Sequence, residues 1–512
     1  MHTHRRRLLL RTPAVLLLIA TFLTLFAAAS GNTKPGLAIG APGSAFFDPA
    51  DLEEAFGIPF EVMPVLSARD AYTLAWHAAD TGKIDHLLYC LDGSEASTTL
   101  EPSLPKPLSD IEKIGQADLY AARYGSSFQT EDTVHNLDRQ ADTISELTKL
   151  QQLCKRKKVT LTLLFLPLHT SRYAAIDPGD LAAYKTALAR LGGLWDFSRT
   201  DISGDARYFY SKTCARADLL GVVLDKMAGK AVPFQNFGTQ LTASNAKKQL
   251  TALEALSLPT ADSYTCEVPI LLYHHLTPQP KTRADISPST FRLHMEALRT
   301  AGYTAVTAAD MIAYVEEGKP LPPRPVWITF DDGYTSNYAI AYPILRELGL
   351  KATVFAIGSS LGKTTYKSTA YPITPHFSQA QAEEMMASGV IEVQSHTWDL
   401  HQHAPYEPGL ARTTAKPLHG ESALDYLAAL RSDLETYEAA TGWDFYALAY
   451  PKGQYTPESE QLFRAMGIRL TVSTATDRRN ILVRGLPQSL YALCRHDIPE
   501  GLSPDALLTL IG

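Results

Sequence analysis

From residue 267 to residue 473, short runs of β-branched, aromatic and other apolar residues alternate with longer stretches of helical composition. No other feature of the chain restricts its fold as much. The runs lie at 267–273, 326–330, 351–357, 391–395, 447–450 and 470–473, and helical stretches lie at 289–301, 308–317, 339–348, 379–388, 422–441 and 458–466. Strands separated by helices pair in parallel, because only a crossover of that length returns the chain to the same edge. Repetition on this scale predicts a (β/α) barrel, here incomplete, with any chemistry at the carboxyl ends of its strands.

Those ends are where the reactive side chains cluster. The run at 326–330 stops on Asp331-Asp332-Gly333, and the run at 391–395 stops on His396-Thr-Trp-Asp-Leu-His401. A strand running into an Asp-Gly turn is common and needs no function. Two histidines at the mouth of one strand and two carboxylates at the mouth of another have the composition of a metal site with open positions, suited to metal-assisted hydrolysis. Adjacent strand residues face opposite ways, so the turn at Gly333 is expected to bring both carboxylates to one cavity. His396 and His401 are five apart; on a regular helix they would diverge by about 140°, so a strand-to-loop setting is required.

Thr329-Phe-Asp-Asp-Gly333 together with Ser395-His-Thr and His401 resembles the polysaccharide-deacetylase (NodB-homology) family over residues 266–512. The resemblance implies that Asp331 is the general base and that Asp332, His396 and His401 hold a divalent metal. Zinc suits that mixed set, and cobalt or nickel also fit. His403 is a competing ligand outside the motif position. The branch acting on β-1,6-linked poly-N-acetylglucosamine has the longer histidine spacing and a Tyr-His stretch like Tyr273-His-His275, which makes His274 the general acid and His496 the runner-up. A histidine suits the role because its ordinary pKa lies near neutral.

Two motifs depart from the family. The usual Arg-x-Pro-Tyr reads Ala449-Tyr-Pro-Lys452, which leaves the orientation of Asp331 unexplained, and Leu-x-His reads Leu493-Cys-Arg495. Tyr450, Lys452 (through its backbone N–H) and Arg495 are expected on the substrate side, with pairing to a carboxylate the alternative for Arg495. The implied activity is removal of the N-acetyl group from N-acetylglucosamine in an extracellular or cell-wall polysaccharide. Peptidoglycan is the rival substrate, and a glycan-binding protein with a decayed site is the rival class.

Residues 34–235 read as a second, doubly wound α/β domain, with strands near 37–40, 86–92 and 158–166 and helices near 48–56, 132–154 and 180–191. This order resembles SGNH-hydrolase-like domains. The nucleophile position falls on Ala41 with Ser44 displaced, and the late Asp-x-x-His falls on Ser211-Lys-Thr-Cys214. A serine without its base is not activated, so a non-catalytic role is expected. An esterase using Ser44 with His169 or His135 is the alternative. Residues 236–265 read as the linker.

Arg5-Arg6-Arg7 precedes an apolar run that ends in small residues near Ser30, so residues 1–30 read as a signal peptide or membrane anchor. The folded part is then extracytoplasmic. A net charge of −7 gives no nucleic-acid footprint. The five cysteines show neither close pairing nor metal-type spacing, so no disulfide framework is expected.

Overall fold

The computed structural model describes residues 34–63, 67–100, 114, 124–130, 133–259, 261–401, 414–476 and 479–512. The N-terminal segment, Asp132 and His403 lie outside these. Among the described residues, no helix is long and apolar enough to cross a membrane. The chain divides into two compact units, the first running to Ser263 and the second beginning at Tyr264. None of the five cysteines, all among the described residues, is disulfide-bonded.

In the first unit a six-stranded sheet runs in the order Phe60–Val62, Gly36–Gly40, His86–Leu91, Thr160–Phe165, Leu194–Asp196, Thr239–Leu241. All neighbours are parallel except the last pair. Leu37, Ile39, Leu87, Tyr89, Leu91, Leu163 and Phe165 pack with side chains of the helices Ala68–Thr81, Gln140–Lys157 and Pro178–Ala189. The alternate residues Ala38, Leu88, Cys90 and Leu164 are buried on the other face. Burial on both faces is what a doubly wound parallel sheet requires. Two expectations change. The helix expected from residue 132 begins at Gln140. The segment read as a linker supplies the antiparallel edge strand Thr239–Leu241 and the helix Ala246–Glu254, so it belongs to the first unit.

In the second unit the parallel strands follow chain order: Ile270–Tyr273, Pro325–Phe330, Ala352–Ala356, Ile391–Ser395, Ala447–Ala449 and Leu470–Val472, with Thr304–Val306 paired to the start of Pro325–Phe330. The segment 493–498 touches both ends of this order. The Leu493 amide donates to the Thr471 carbonyl, His496 pairs with Leu271, and the Ile498 amide donates to Leu272. The ring is thereby closed by a stretch too short and too polar to announce itself as a strand.

Side-chain parity sorts the barrel. Val326, Ile328 and Phe330 pack outward among the residues of the surrounding helices, as do Leu271, Tyr273, Ile391 and Val393. Ile270, Trp327, Phe355, Ala447, Ala449, Leu470 and Val472 form a separate inner cluster. Trp327 fills its interior and donates its indole N–H to Thr353 Oγ1 at 2.8 Å. Because strand side chains alternate, the inner parity continues to His274, Asp331 and His396 at the carboxyl ends.

Candidate active site

Asp331 follows Trp327 and Thr329 into the mouth of the barrel. Asp332 would point outward on an ideal strand, but its φ of +71° reverses the chain at that residue. The reversal therefore lies at Asp332 itself, one residue before the glycine expected to provide it. Gly333 is also left-handed, and a Cβ there would sit 2.9 Å from Ala356 Cβ, so glycine is needed for space as well as conformation.

The two histidines reach the same place by different routes. His396 lies at inner parity and donates Nδ1–H to the Ala449 carbonyl at 2.8 Å, which leaves the Nε2 lone pair facing the carboxylates. The chain then turns at Thr397, with φ +70°. Asp433, on the helix Ala423–Thr441, accepts the amides of Trp398 and Asp399 at 2.7 and 2.9 Å, and Thr397 Oγ1 accepts that of Leu400. This pinned turn brings His401 back over His396, with ring centroids 5.1 Å apart. The five-residue spacing is a loop geometry, as the sequence required.

Asp332 Oδ1 lies 3.6 Å from His396 Nε2 and 3.7 Å from His401 Nε2. One ligand atom from each of the three residues falls within 4.8 Å of the others, and Asp332 Oδ1 is buried without a hydrogen-bond partner. Tetrahedral ligands about 2.1 Å from a zinc ion lie roughly 3.4 Å apart, so the donor set and its spacing fit a divalent cation.

Asp331 is held from the opposite side. Arg495 Nη1 and Nη2 donate to its two oxygens at 2.7 Å each, while Arg495 Nε donates to the Ser473 carbonyl at 2.8 Å. Both side chains are buried. Burial pushes the Asp331 carboxyl up, but the guanidinium, His396 and His274 together hold it well below the usual carboxylate range. Burial likewise raises Asp332, and His401, His274 and His396 bring it down. For Arg495 the structure thus takes the alternative, pairing with a carboxylate: its guanidinium is committed to Asp331 and does not face a substrate.

Tyr450 is also corrected. It has outward parity next to Leu448, is fully buried, stacks on Tyr455 and donates its hydroxyl to Glu460 at 2.9 Å, so it supports the wall behind the mouth. Parity counted from Ala447 and Ala449 would have revealed this. Lys452 sits just beyond that strand in a left-handed conformation, φ +55°. His274 is half-buried, acts electrostatically on both carboxylates, and its carbonyl accepts from Asn337 Nδ2 at 2.8 Å. His496 has its pKa lowered by burial alone, with no carboxylate among the causes.

The sequence reading passed over Tyr334 and His376. The Tyr334 ring lies 5.2 Å from that of His275 and 4.9 Å from that of buried His376, forming a wall beside Asp332. Tyr334 directly follows the Asp-Asp-Gly turn and could have been read as site-facing. Nothing in the sequence marks His376.

Residues 318–471 match the family model for polysaccharide deacetylase. The second unit carries a polysaccharide deacetylase domain. The Bacillus subtilis protein YxkH is 28% identical over 240 residues, covering 47% of this chain and 74% of its own length. The poly-β-1,6-N-acetyl-D-glucosamine N-deacetylase of Staphylococcus epidermidis is 32% identical over 116 residues, covering 23% of this chain. This chain spans 38% of the length of that staphylococcal relative. A de-N-acetylase from Aggregatibacter actinomycetemcomitans superposes with a TM-score of 0.41 at 21% identity, covering 48% of this chain and 100% of that one.

Proposed function

We propose that the protein is a metal-dependent N-deacetylase of an extracytoplasmic, N-acetylglucosamine-containing polysaccharide, with the β-1,6-linked polymer as its substrate. The carrying observation is the pairing of Asp332, His396 and His401 around an unsatisfied carboxylate oxygen with an ionised, arginine-clamped Asp331 beside them. The staphylococcal relatives' named activity supports the choice of polymer. The basic and apolar segment at 1–30 supports export.

Asp332, His396 and His401 hold the cation, zinc being the best match to two imidazoles and a carboxylate. A divalent cation there supplies a Lewis acid for the acetamide carbonyl and water acidic enough to be deprotonated near neutral pH. The rest is the chain's own work. Asp331, kept ionised and oriented by Arg495, accepts the proton of the attacking water. The Lys452 backbone N–H donates to the carbonyl oxygen as negative charge develops there. His274 gives a proton to the departing amine; its electrostatic coupling to both carboxylates favours it over His496. His275 and Tyr334 shape the entrance. The products are acetate and a glucosamine residue. Arg495 also weakens the decayed-site reading, because an arginine on Asp331 is supplied by the segment that closes the ring.

The test is acetate release by the full chain from poly-β-1,6-N-acetylglucosamine and from peptidoglycan, with zinc or with chelator, and with Asp331→Asn as control. Chelator-sensitive release from the β-1,6 polymer that vanishes in Asp331→Asn is expected. Release from peptidoglycan alone would replace the polymer, and no release from either with metal supplied would remove the activity.

A further inference from the structure

The first unit carries a second cluster of unsatisfied polar groups. Gly36–Gly40, His86–Leu91 and Thr160–Phe165 are adjacent parallel strands, so the segments that follow them share the carboxyl edge of the sheet, where open α/β sheets bind ligands. Each segment delivers one buried polar side chain: Ser44 at 0% exposure, Asp92 at 0% and Arg172 at 4%. Ser44 Oγ, Asp92 Oδ2 and both Nε and Nη2 of Arg172 have no hydrogen-bond partner.

The strand carrying Cys214 lies near all three segments. A Cβ on Gly43 would lie 3.2 Å from the Thr213 carbonyl and 3.7 Å from Cys214 Cα, which puts the Ser44 turn against that strand. The charges of Asp92 and Arg172 both act on the Cys214 thiol. Two other buried acids of the unit, Asp205 and Glu95, are committed elsewhere. Asp205 receives Arg207 on both oxygens, and Glu95 receives the amides of Asp92 and Gly93 with the Tyr184 hydroxyl. A buried guanidinium edge that donates to no partner is costly, and an anion from outside would satisfy it.

The arrangement does not suit a serine hydrolase. His169 Nδ1 pairs with the Ser171 hydroxyl at 2.8 Å, its ring lies against Phe128 and Phe209, and Ser44 Oγ makes no hydrogen bond to it. It does suit recognition. Nε and Nη2 form the edge of a guanidinium that matches a carboxylate with two parallel hydrogen bonds. Ser44 can add a third donor, and Asp92 Oδ2 can accept from a neighbouring hydroxyl.

We propose that the first unit binds a hydroxycarboxylate, of the kind a uronic-acid residue presents, through Arg172, Ser44 and Asp92. This site shares no residue with the deacetylase centre, and the proposal does not depend on that activity. It is tested by calorimetric titration of the full chain with glucuronate, acetate and a neutral N-acetylglucosamine oligomer. Glucuronate binding is expected, with a loss of at least about tenfold in Arg172→Gln, as for removal of a charge-assisted pair. Smaller losses are expected in Ser44→Ala and Asp92→Asn, and these two variants carry the test if Arg172→Gln does not fold. Their deacetylase activity on short oligomers should match the parent. Acetate binding as tightly as glucuronate, competition by the neutral oligomer, or glucuronate affinity unchanged in Ser44→Ala and Asp92→Asn would each overturn the proposal.

Discussion

Replacing Arg495 by methionine tests the site where structure and sequence differ most. The Arg495 and Asp331 side chains are 0% and 4% exposed, so solvent screening does not dilute their pairing. Removing one member of a buried ion pair and leaving the other typically costs about 3–5 kcal/mol, because the survivor is stranded in low dielectric. The sign with pH follows from the native state. The Asp331 carboxyl is held below its ordinary value, so its contribution is present above the unfolded carboxylate range and lost as pH falls through the folded pKa. In Arg495→Met the guanidinium is gone and burial dominates, so that pKa rises. The stability gap between parent and variant should be widest near neutral pH and shrink on acidification, measured by urea unfolding of chelator-treated protein. In acetate-release assays the acidic limb of kcat/KM should move to higher pH, and the plateau should fall by about 10²-fold as the base loses its orientation. Arg495→Lys keeps the charge without the fork and should fall between the two. A methionine variant with parental stability and an unshifted acidic limb would refute the clamp.

Asp433→Ala releases the turn that returns His401, so zinc affinity should drop by about 10–100-fold while the far-UV spectrum is unchanged, read by competition with a chromogenic chelator. Gly333→Ala meets both a left-handed φ and the Ala356 methyl; it should lower stability by about 1–3 kcal/mol in chemical unfolding and abolish acetate release by displacing Asp332. Burial raises Glu460 to about 7, against hydrogen bonds from Tyr450 and Thr471. A raised carboxyl is favourable while protonated and costs stability as pH rises toward that value, so Glu460→Gln should gain on the parent between pH 5 and 8 by thermal unfolding.

Much of this arrangement was written in the local pattern. The inner parity from Trp327 to Asp331 and from Gln394 to His396 follows from alternation alone, and the same count applied to Ala447 places Tyr450 outside the mouth. What local pattern could not supply was partnership across long separations. Arg495 and Asp331 are brought together only by closure of the ring, and nothing near either residue encodes that meeting. Thr239–Leu241 has no apolar run of its own and becomes a strand by pairing with Leu194–Asp196. The helix expected from residue 132 starts at Gln140, where Thr143, Leu147, Leu150 and Cys154 begin the buried stripe. Tertiary burial, more than local composition, set that boundary.

The closing segment also imposes an order on synthesis. His274, the carboxylate pair, both histidines and Lys452 all precede Arg495 in the chain. A ribosome therefore makes every candidate metal ligand before the arginine that grips Asp331. In an unfinished chain Asp331 still lacks its partner, which arrives only with the segment that seals the barrel. The seam of the fold is thus also the last part of the site to be made, and the grip on Asp331 is the contact that waits for it.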